Sequence, residues 1–125
     1  MKVLLRSILL CALCLTFAPS APAQNKTFHT EGVFSNIAAG EGGDYAGMQV
    51  YLTDSDGQFY AAVTIAQGVL LPPVLVKVKV DVEARKVEFE LPGEGARKFT
   101  GTVTASGLSL NEGTSKIFLK RICLD

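Results

Sequence analysis

The sequence predicts an all-β protein, and more specifically a small up-and-down antiparallel β-barrel of about eight strands. Apolar and polar residues alternate with a period of two in several short segments, which is the pattern of half-buried strands. Turn-forming glycine, proline and aspartate residues separate these segments, and no segment carries the 3.6-residue period of a helix. Short consecutive strands form a meander, which closes as a barrel or, as the alternative, packs as an open β-sandwich.

The chain begins with the features of an export signal. Lys2 and Arg6 give it a positively charged start, and residues 8–18 form an apolar run. A small-x-small pattern ends at Ala23, so we expect cleavage between Ala23 and Gln24 and a secreted or periplasmic product. The apolar run is shorter than the roughly 20 residues that a membrane span needs, and no later stretch approaches that length. We therefore expect no transmembrane span.

We expect residues 1–23 to be a signal peptide and residues 24–125 to be a single β-barrel domain. Removal of 23 of the 125 residues leaves 102, which is enough for one hydrophobic core. Lys2 and Arg6 leave with the signal, so 10 of the 12 basic residues remain beside 12 acidic ones, a net charge of −2. This charge gives no reason to expect a nucleic-acid partner.

The first strand is expected over residues 28–37, and the first hairpin follows it. The adjacent Asp56 and Gly57 predict a type I′ turn, because both central residues of that turn need a positive φ. The turn sets three inward residues of one strand opposite three of the next: Leu52, Val50 and Met48 opposite Ala61, Val63 and Ile65.

The second hairpin is predicted from the clearest alternation in the chain. Valines recur at every second position from residue 74 to residue 82, and the pattern returns over residues 87–91. A tight turn at Ala84 and Arg85 would set Val80 opposite Phe89 and Lys79 opposite Glu90. Further strands are expected at residues 98–104, 108–110 and 116–122.

An up-and-down order places alternate connections at the same end of the barrel. Tight turns at residues 56–57, 84–85 and 106–107 would mark one end, and longer loops at residues 38–44, 68–73, 92–96 and 111–114 would mark the other. Binding residues tend to lie on loops. The long-loop end combines acidic and apolar side chains, and we take these as candidate ligand-binding residues: Glu41, Asp44, Val69, Leu70, Leu71 and Glu94. Solvated turns are the alternative interpretation.

Several runs of residues carry a family resemblance: 56–61 (DGQFYA), 73–76 (PVLV), 87–92 (VEFELP), 99–103 (FTGTV) and 119–121 (LKR). Together they resemble a lipocalin-like, calycin-type β-meander of secreted bacterial proteins, over most of residues 45–121. In some relatives this module precedes a serine hydrolase domain. The resemblance implies a barrel, and it maps no catalytic residues onto this chain.

An eight-stranded barrel has an interior just large enough for its own side chains or for one small ligand. We expect the interior to be filled by Phe34, Met48, Phe59, Val76, Val78, Phe89, Phe99 and Leu119. Ala61 and Gly101 are small inward residues, which either leave space for a ligand or accommodate large neighbours and barrel curvature.

The sequence contains no catalytic, metal or nucleotide motif, so we predict a protein that is not an enzyme and has no cofactor. His29 is the single histidine, and Cys123 is the one cysteine outside the signal. These two residues are too few for a zinc site of three or four such ligands, and Cys123 has no partner within the chain for a disulfide. A nucleophile and base pair formed by His29 and Cys123 is a third-ranked hypothesis, because a lone cysteine is more often a small apolar residue.

Tyr51 and Tyr60 are the candidate partner-binding residues. In the hairpin at Asp56 and Gly57 they share the face opposite the core, on a diagonal that permits aromatic contact. Exposed aromatic residues are favoured in protein interfaces, although ordinary cross-strand packing also explains them. We therefore expect a non-catalytic accessory or interaction module that binds another envelope or secreted protein. The alternative is a lipocalin-like carrier of a small apolar or amphiphilic ligand at the long-loop end.

Overall fold

The structure is a computed structural model and describes residues 29–123, so the predicted signal peptide and its cleavage position lie outside the described residues. Within that part the protein is all-β, with no helix. The described residues form nine strands, β1 to β9 in chain order: Gly32–Ser35, Ala38–Ala39, Tyr45–Ser55, Gln58–Leu70, Val74–Asp81, Lys86–Leu91, Arg97–Val103, Gly107–Glu112 and Ser115–Ile122. Residues 29–123 therefore contain no helical segment that could span a membrane.

The strands form one closed antiparallel barrel, which confirms the predicted fold class. Each strand from β3 to β8 pairs with the next strand in the sequence, and β1 closes the circle by pairing with both β9 and β3. The barrel proper therefore has eight strands. The two-residue strand β2 is an addition that pairs with β3.

β1 and β2 follow one register along β3, interrupted at Asn36. The Asn36 N–H donates to the Met48 carbonyl oxygen (3.1 Å), and the Met48 N–H donates to the Asn36 side-chain oxygen Oδ1 (2.7 Å). The Asn36 side chain thus replaces its own main-chain carbonyl as the acceptor. Asn36 comes so close to β3 that a Cβ on Gly47 would overlap it, and Gly47 has a positive φ of 129°.

The interior is filled by apolar side chains from all eight barrel strands. The buried cluster consists of Phe34, Met48, Val50, Leu52, Ala61, Val63, Val76, Val78, Val87, Phe89, Leu91, Phe99, Val103, Leu108, Leu110 and Leu119. Phe89 and Phe99 stack with their ring centroids 5.1 Å apart. Of the residues predicted to fill the interior, Phe59 is only partly buried, although it packs against the cluster.

The two small inward residues accommodate their neighbours. Ala61 is fully buried within the core. A Cβ on Gly101 would overlap the carbonyl oxygen of Ser109 on the neighbouring strand β8, so the space beside Gly101 is occupied by main chain. Gly107 stands in the same relation to Leu119 of β9. These close approaches favour the curvature interpretation, because glycine permits tight coiling where strands cross.

The register of the first predicted hairpin is confirmed. Met48, Val50 and Leu52 lie opposite Ile65, Val63 and Ala61. Asp56 and Gly57 have φ values of 52° and 80°, as a type I′ turn requires, and the Gly57 N–H donates to Asp54 Oδ1 (2.9 Å).

The register predicted for the second hairpin is wrong by two residues. Lys79 lies opposite Glu88 and Val80 opposite Val87, because the turn contains residues 82–85 rather than two residues. Asp81 Oδ1 accepts a hydrogen bond from the Ala84 N–H (3.1 Å), which stabilises this wider turn. The shift keeps every side chain on its predicted face and sets opposite charges in register on the outer face.

The connections alternate between two ends of the barrel, as an up-and-down order requires. Residues 40–44, 71–73, 92–96 and 113–114 lie at one end, which we call the loop end; residues 56–57, 82–85 and 104–106 lie at the other, the turn end. The two ends differ less in loop length than predicted. The predicted loop 111–114 is a two-residue turn at Gly113 and Thr114, and Val69 and Leu70 belong to β4 rather than to a loop.

Candidate functional site

A row of apolar side chains crosses the outer wall of the barrel. Strand pairing sets Leu75 beside Ala62, Ala62 beside Tyr51, Tyr51 beside Val33, and Val33 beside Ile122. These five residues come from five adjacent strands, β5, β4, β3, β1 and β9. We call this row the apolar belt.

Every member of the apolar belt precedes or follows an inward residue, so it faces outward. Leu75 is 69% exposed, Tyr51 46% and Ile122 41%, while Ala62 and Val33 are half-buried. Adjacent strands are about 4.8 Å apart, so the five-strand row is about 19 Å long.

Polar side chains border the apolar belt on both sides. The outward row towards the loop end consists of Thr64, Gln49, Ser35 and Lys120. The row towards the turn end contains Lys77, Tyr60 and Thr53. The apolar belt is therefore a stripe one residue wide with hydrophilic edges.

The structure places the two predicted partner-binding residues in different rows. Tyr51 lies at the centre of the apolar belt, between Ala62 and Val33. Tyr60 is half-buried in the bordering polar row, diagonal to Tyr51. Within residues 29–123 no ring contact joins the two tyrosines, and the stacked ring pair is the interior one of Phe89 and Phe99.

The apolar belt continues into an exposed apolar segment at the loop end. The sequence from residue 69 to residue 75 reads VLLPPVL, and all seven residues are exposed. The predicted ligand-binding residues Val69, Leu70 and Leu71 all belong to this segment. The Leu71 N–H donates to the Ile65 carbonyl oxygen (2.9 Å), so the chain turns back on itself at the end of β4.

A cleft of about 270 Å³ opens at the loop end, between the 71–73 and 92–96 connections. Its lining consists of Val63, Ile65, Gln67, Leu71, Pro72, Val74, Leu91, Pro92, Glu94, Gly95 and Arg97. Two of the predicted ligand-binding residues, Leu71 and Glu94, therefore line it. Val69 and Leu70 lie outside the lining, as do Glu41 and Asp44 in the exposed 40–44 loop.

An ion pair lies at the edge of this cleft. The Arg97 guanidinium makes two hydrogen bonds to the Glu112 carboxylate, the one from Nη2 to Oε1 being 2.8 Å long, and it lies 5.2 Å from the centre of the Phe99 ring. These hydrogen bonds hold the pKa of Glu112 below its ordinary value and raise that of Arg97. Both partners are partly exposed, so solvent weakens the pair.

The sequence interpretation missed this ion pair, although the alternation contains a signal for it. Arg97 is in phase with the inward residues Phe99 and Val103, and Glu112 is in phase with Leu108 and Leu110. A basic and an acidic residue at inward positions of two consecutive strands, each at the loop end, indicate a pair at the barrel mouth.

An arginine in the same kind of position closes the turn end. Arg121 is in phase with inward Leu119, and its guanidinium lies 4.8 Å from the centre of the Phe34 ring. It donates hydrogen bonds to the carbonyl oxygens of His29 (2.9 Å), Glu31 (3.0 Å) and Thr104 (3.1 Å). These bonds tie the segment before β1 to the β7–β8 connection.

His29 and Cys123 both lie at the turn end, as the topology predicts. Cys123 is free and exposed, and within residues 29–123 no hydrogen bond joins it to His29. Among the same described residues, no group of three or more histidine, cysteine, aspartate or glutamate side chains is arranged to hold a metal ion.

Comparison with known proteins assigns no family to this architecture. A scan against protein-family models, a search of curated proteins and a search of solved structures each found no match to the chain.

Proposed function

We propose that the protein is a non-catalytic interaction module, secreted or periplasmic, that binds another envelope or secreted protein through the apolar belt. The observation that carries the proposal is the alignment of five apolar residues across five strands, with polar rows on both sides. Single exposed apolar residues are ordinary on a protein surface. Together with the exposed segment at residues 69–75, the aligned row forms a continuous apolar surface, and large exposed surfaces of this kind mark interaction sites.

The shape of the apolar belt fits the apolar stripe of an amphipathic helix. Such a stripe is narrow and bordered by polar residues, as the apolar belt is. Tyr51 at its centre supplies a large, stiff contact surface of the type enriched in interface hot spots. Lys120 and Lys77 flank the apolar belt, one in each polar row, and they favour acidic residues at the borders of the partner's stripe.

The test compares two double variants with matched exposure. Tyr51→Ser with Leu75→Ser removes the centre and one end of the apolar belt. Tyr45→Ser with Val82→Ser is the control, because Tyr45 is 44% exposed and Val82 59% exposed, and both lie outside the apolar belt. The partner is first captured from native extract and purified. We expect it to bind the wild type and the control with equal affinity. It should bind the belt variant at least about 100-fold more weakly, as loss of a hot spot implies. Equal binding by both variants would refute the assignment.

A carrier of a small apolar ligand is the second candidate function, favoured by the cleft at the loop end. Leu71, Ile65 and Leu91 contribute apolar side chains to its lining, and Glu94 and Arg97 contribute charged ones. Native mass spectrometry of protein purified from its own compartment without detergent should then show added mass that is lost on denaturation. Leu71→Asp should reduce that added mass, while Leu70→Asp, outside the lining, should not. A bare polypeptide would leave the interaction module as the proposed function.

A further inference from the structure

The cleft at the loop end is the mouth of the barrel. Its lining includes inward positions of four consecutive strands: Val63 and Ile65 of β4, Val74 of β5, Leu91 of β6 and Arg97 of β7. Val63 and Leu91 belong to the buried core, at 1% and 8% exposure, and Ile65 packs against it. An apolar chain that enters the mouth therefore meets the upper end of the core.

The mouth adjoins the apolar belt but lies on the other face of the barrel wall. Val74 lines the mouth, whereas its neighbour Leu75 is the end of the apolar belt. Because successive residues of a strand point to opposite faces, Val74 is directed inward and Leu75 outward. A molecule in the mouth and a partner on the apolar belt thus contact different side chains of β5.

The positive charge in the mouth is already compensated. Arg97 is the basic residue of the lining, and two of its N–H groups donate to the Glu112 carboxylate. The guanidinium also lies 5.2 Å from the centre of the Phe99 ring. Paired hydrogen bonds between an arginine and a carboxylate are stronger and more specific than single neutral ones. An anionic ligand would therefore have to compete with Glu112 for Arg97.

The negative charge in the mouth is not compensated. Glu94 also lines it, and within residues 29–123 the Glu94 carboxylate has neither a hydrogen bond nor an ion pair. The four loop-end connections carry two further acidic residues, Glu41 and Asp44, and no basic residue. Lys98 and Lys116, near this end of β7 and β9, occupy outward positions. Since a cleft lined by one sign of charge attracts the opposite sign, the mouth favours a cation.

We propose that the mouth binds a small amphiphilic amine, with its apolar chain against the core and its ammonium group on the Glu94 carboxylate. The inference rests on the carrier function proposed for this cleft, and it names the class of ligand. Pockets for drug-sized ligands measure about 300–1,000 Å³. A cleft of about 270 Å³ therefore suits a short chain. Gln67 also lines the mouth, and its side-chain oxygen offers the ammonium group a second acceptor.

Ligands of other charge fit these residues less well. An ammonium group donates charge-assisted hydrogen bonds to a carboxylate. An uncharged ligand would cover part of Glu94 and leave its charge without a partner, which costs free energy. A carboxylate ligand would be repelled by Glu94 and would find Arg97 occupied by Glu112. The unpaired charge of the lining thus selects the sign of the ligand.

The test uses the purified protein and three probes that share an eight-carbon chain: octylammonium, octanoate and octanol. Each is titrated while the main-chain amide signals of Ile65, Leu91 and Gly95 are followed by NMR. We expect octylammonium to shift these signals with a dissociation constant at least about tenfold lower than those of the other two probes. Octanoate or octanol binding as tightly as octylammonium would overturn the proposal, as would the absence of octylammonium binding.

Failure of the amine assignment is distinguishable from failure of the carrier function. If octanoate or octanol bound more tightly, or if native mass spectrometry released an acidic or uncharged molecule, the carrier function would stand and the amine assignment would be wrong. If no probe bound and the protein from its own compartment carried no added mass, both would be wrong. Release of an amine would support both.

Two matched variants test the role of Glu94. Glu94→Gln and Glu41→Gln each remove one acidic charge from an exposed loop-end connection, but only Glu94 lines the mouth. We expect Glu94→Gln to weaken octylammonium binding roughly tenfold, to the level of octanol, and Glu41→Gln to weaken it no more than about twofold, because solvent screens the more distant charge. Equal losses in both variants would contradict pairing with Glu94.

A third variant tests why the mouth rejects anions. Glu112→Gln leaves the Arg97 guanidinium without its carboxylate partner, so Arg97 becomes available to a ligand. We expect octanoate to bind this variant roughly tenfold more tightly than it binds the wild type, and octylammonium to bind it more weakly. Unchanged affinities for both probes would contradict the selection of charge by the Arg97 and Glu112 pair.

Discussion

The two sides of the barrel wall share one interior and differ on the outside. The side formed by β6, β7 and β8 presents mainly charged, amide and hydroxyl groups to solvent: Lys86, Glu88, Glu90, Lys98, Thr100, Thr102, Ser109 and Asn111. The side formed by β9, β1, β3, β4 and β5 carries the apolar belt. Because the fold needs only the inward residues to be apolar, the outward residues are where two sides of one barrel can acquire different roles.

The largest expected effect separates the interior from the outer wall. Phe99→Ala removes a fully buried ring that stacks on Phe89, and we expect it to lower the free energy of unfolding by about 3–5 kcal/mol. Tyr51→Ala removes an aromatic ring of similar size from the apolar belt and should cost no more than about 1 kcal/mol, the range of strand propensity. Urea denaturation measures both. Comparable losses would mean that the apolar belt is part of the structural core.

The next effect tests how the polar side of the barrel is curved. Gly101→Ala places a Cβ against the Ser109 carbonyl oxygen, and we expect a loss of about 1–3 kcal/mol in the free energy of unfolding. Gly40→Ala is the matched control, because its Cβ would meet its nearest neighbour, the Asp44 carbonyl oxygen, at 3.5 Å, an ordinary contact. If the two variants have the same thermal midpoint, the close crossing of β7 and β8 does not constrain the fold.

Local sequence was sufficient for the parts of the fold that one turn determines. Asp56 and Gly57 predict both the turn type and the register of β3 against β4, because a two-residue type I′ turn permits one pairing. The β5–β6 register was missed because the alternation over residues 74–91 is satisfied equally by any shift of two. The choice depends on the Asp81 side chain, which accepts from the Ala84 N–H and sets the width of the turn.

The apolar belt was only partly predictable, for a different reason. Tyr51 stands out in the sequence as an outward aromatic residue. Its neighbours Leu75, Val33 and Ile122 lie in other strands, and they join one row only when the registers of four strand pairs are known together. If the register of one strand pair were wrong by two residues, the apolar residue of that strand would lie in a polar row instead. No local sequence pattern therefore identifies the apolar belt.

A smaller effect is expected on the side of the apolar belt, where a side chain completes the ladder. Asn36→Ala leaves the Met48 N–H without its acceptor, and we expect a loss of about 1 kcal/mol, because the pair is only partly buried. Asn36→Asp retains the oxygen and should stay close to the wild type in urea. A wild-type midpoint for Asn36→Ala would show that water replaces the side chain without cost, and that β1 and β2 hold to β3 through main-chain pairing alone.

The smallest effect concerns charge on the polar side of the barrel. The folded pKa of Glu112 is below its unfolded value, so the Arg97 pair contributes stability above the unfolded pKa and loses it as the pH falls through the folded one. Between pH 7 and pH 3 the wild type should therefore lose more stability than Glu112→Gln, by up to about 1 kcal/mol for a solvent-screened pair. Glu94→Gln leaves the contact between Arg97 and Glu112 intact, so it should lose as much stability between pH 7 and pH 3 as the wild type. Molar salt should reduce the extra loss that the wild type shows over Glu112→Gln. If Glu112→Gln lost as much stability as the wild type between pH 7 and pH 3, the ion pair would be present in the structure but would contribute no net stability.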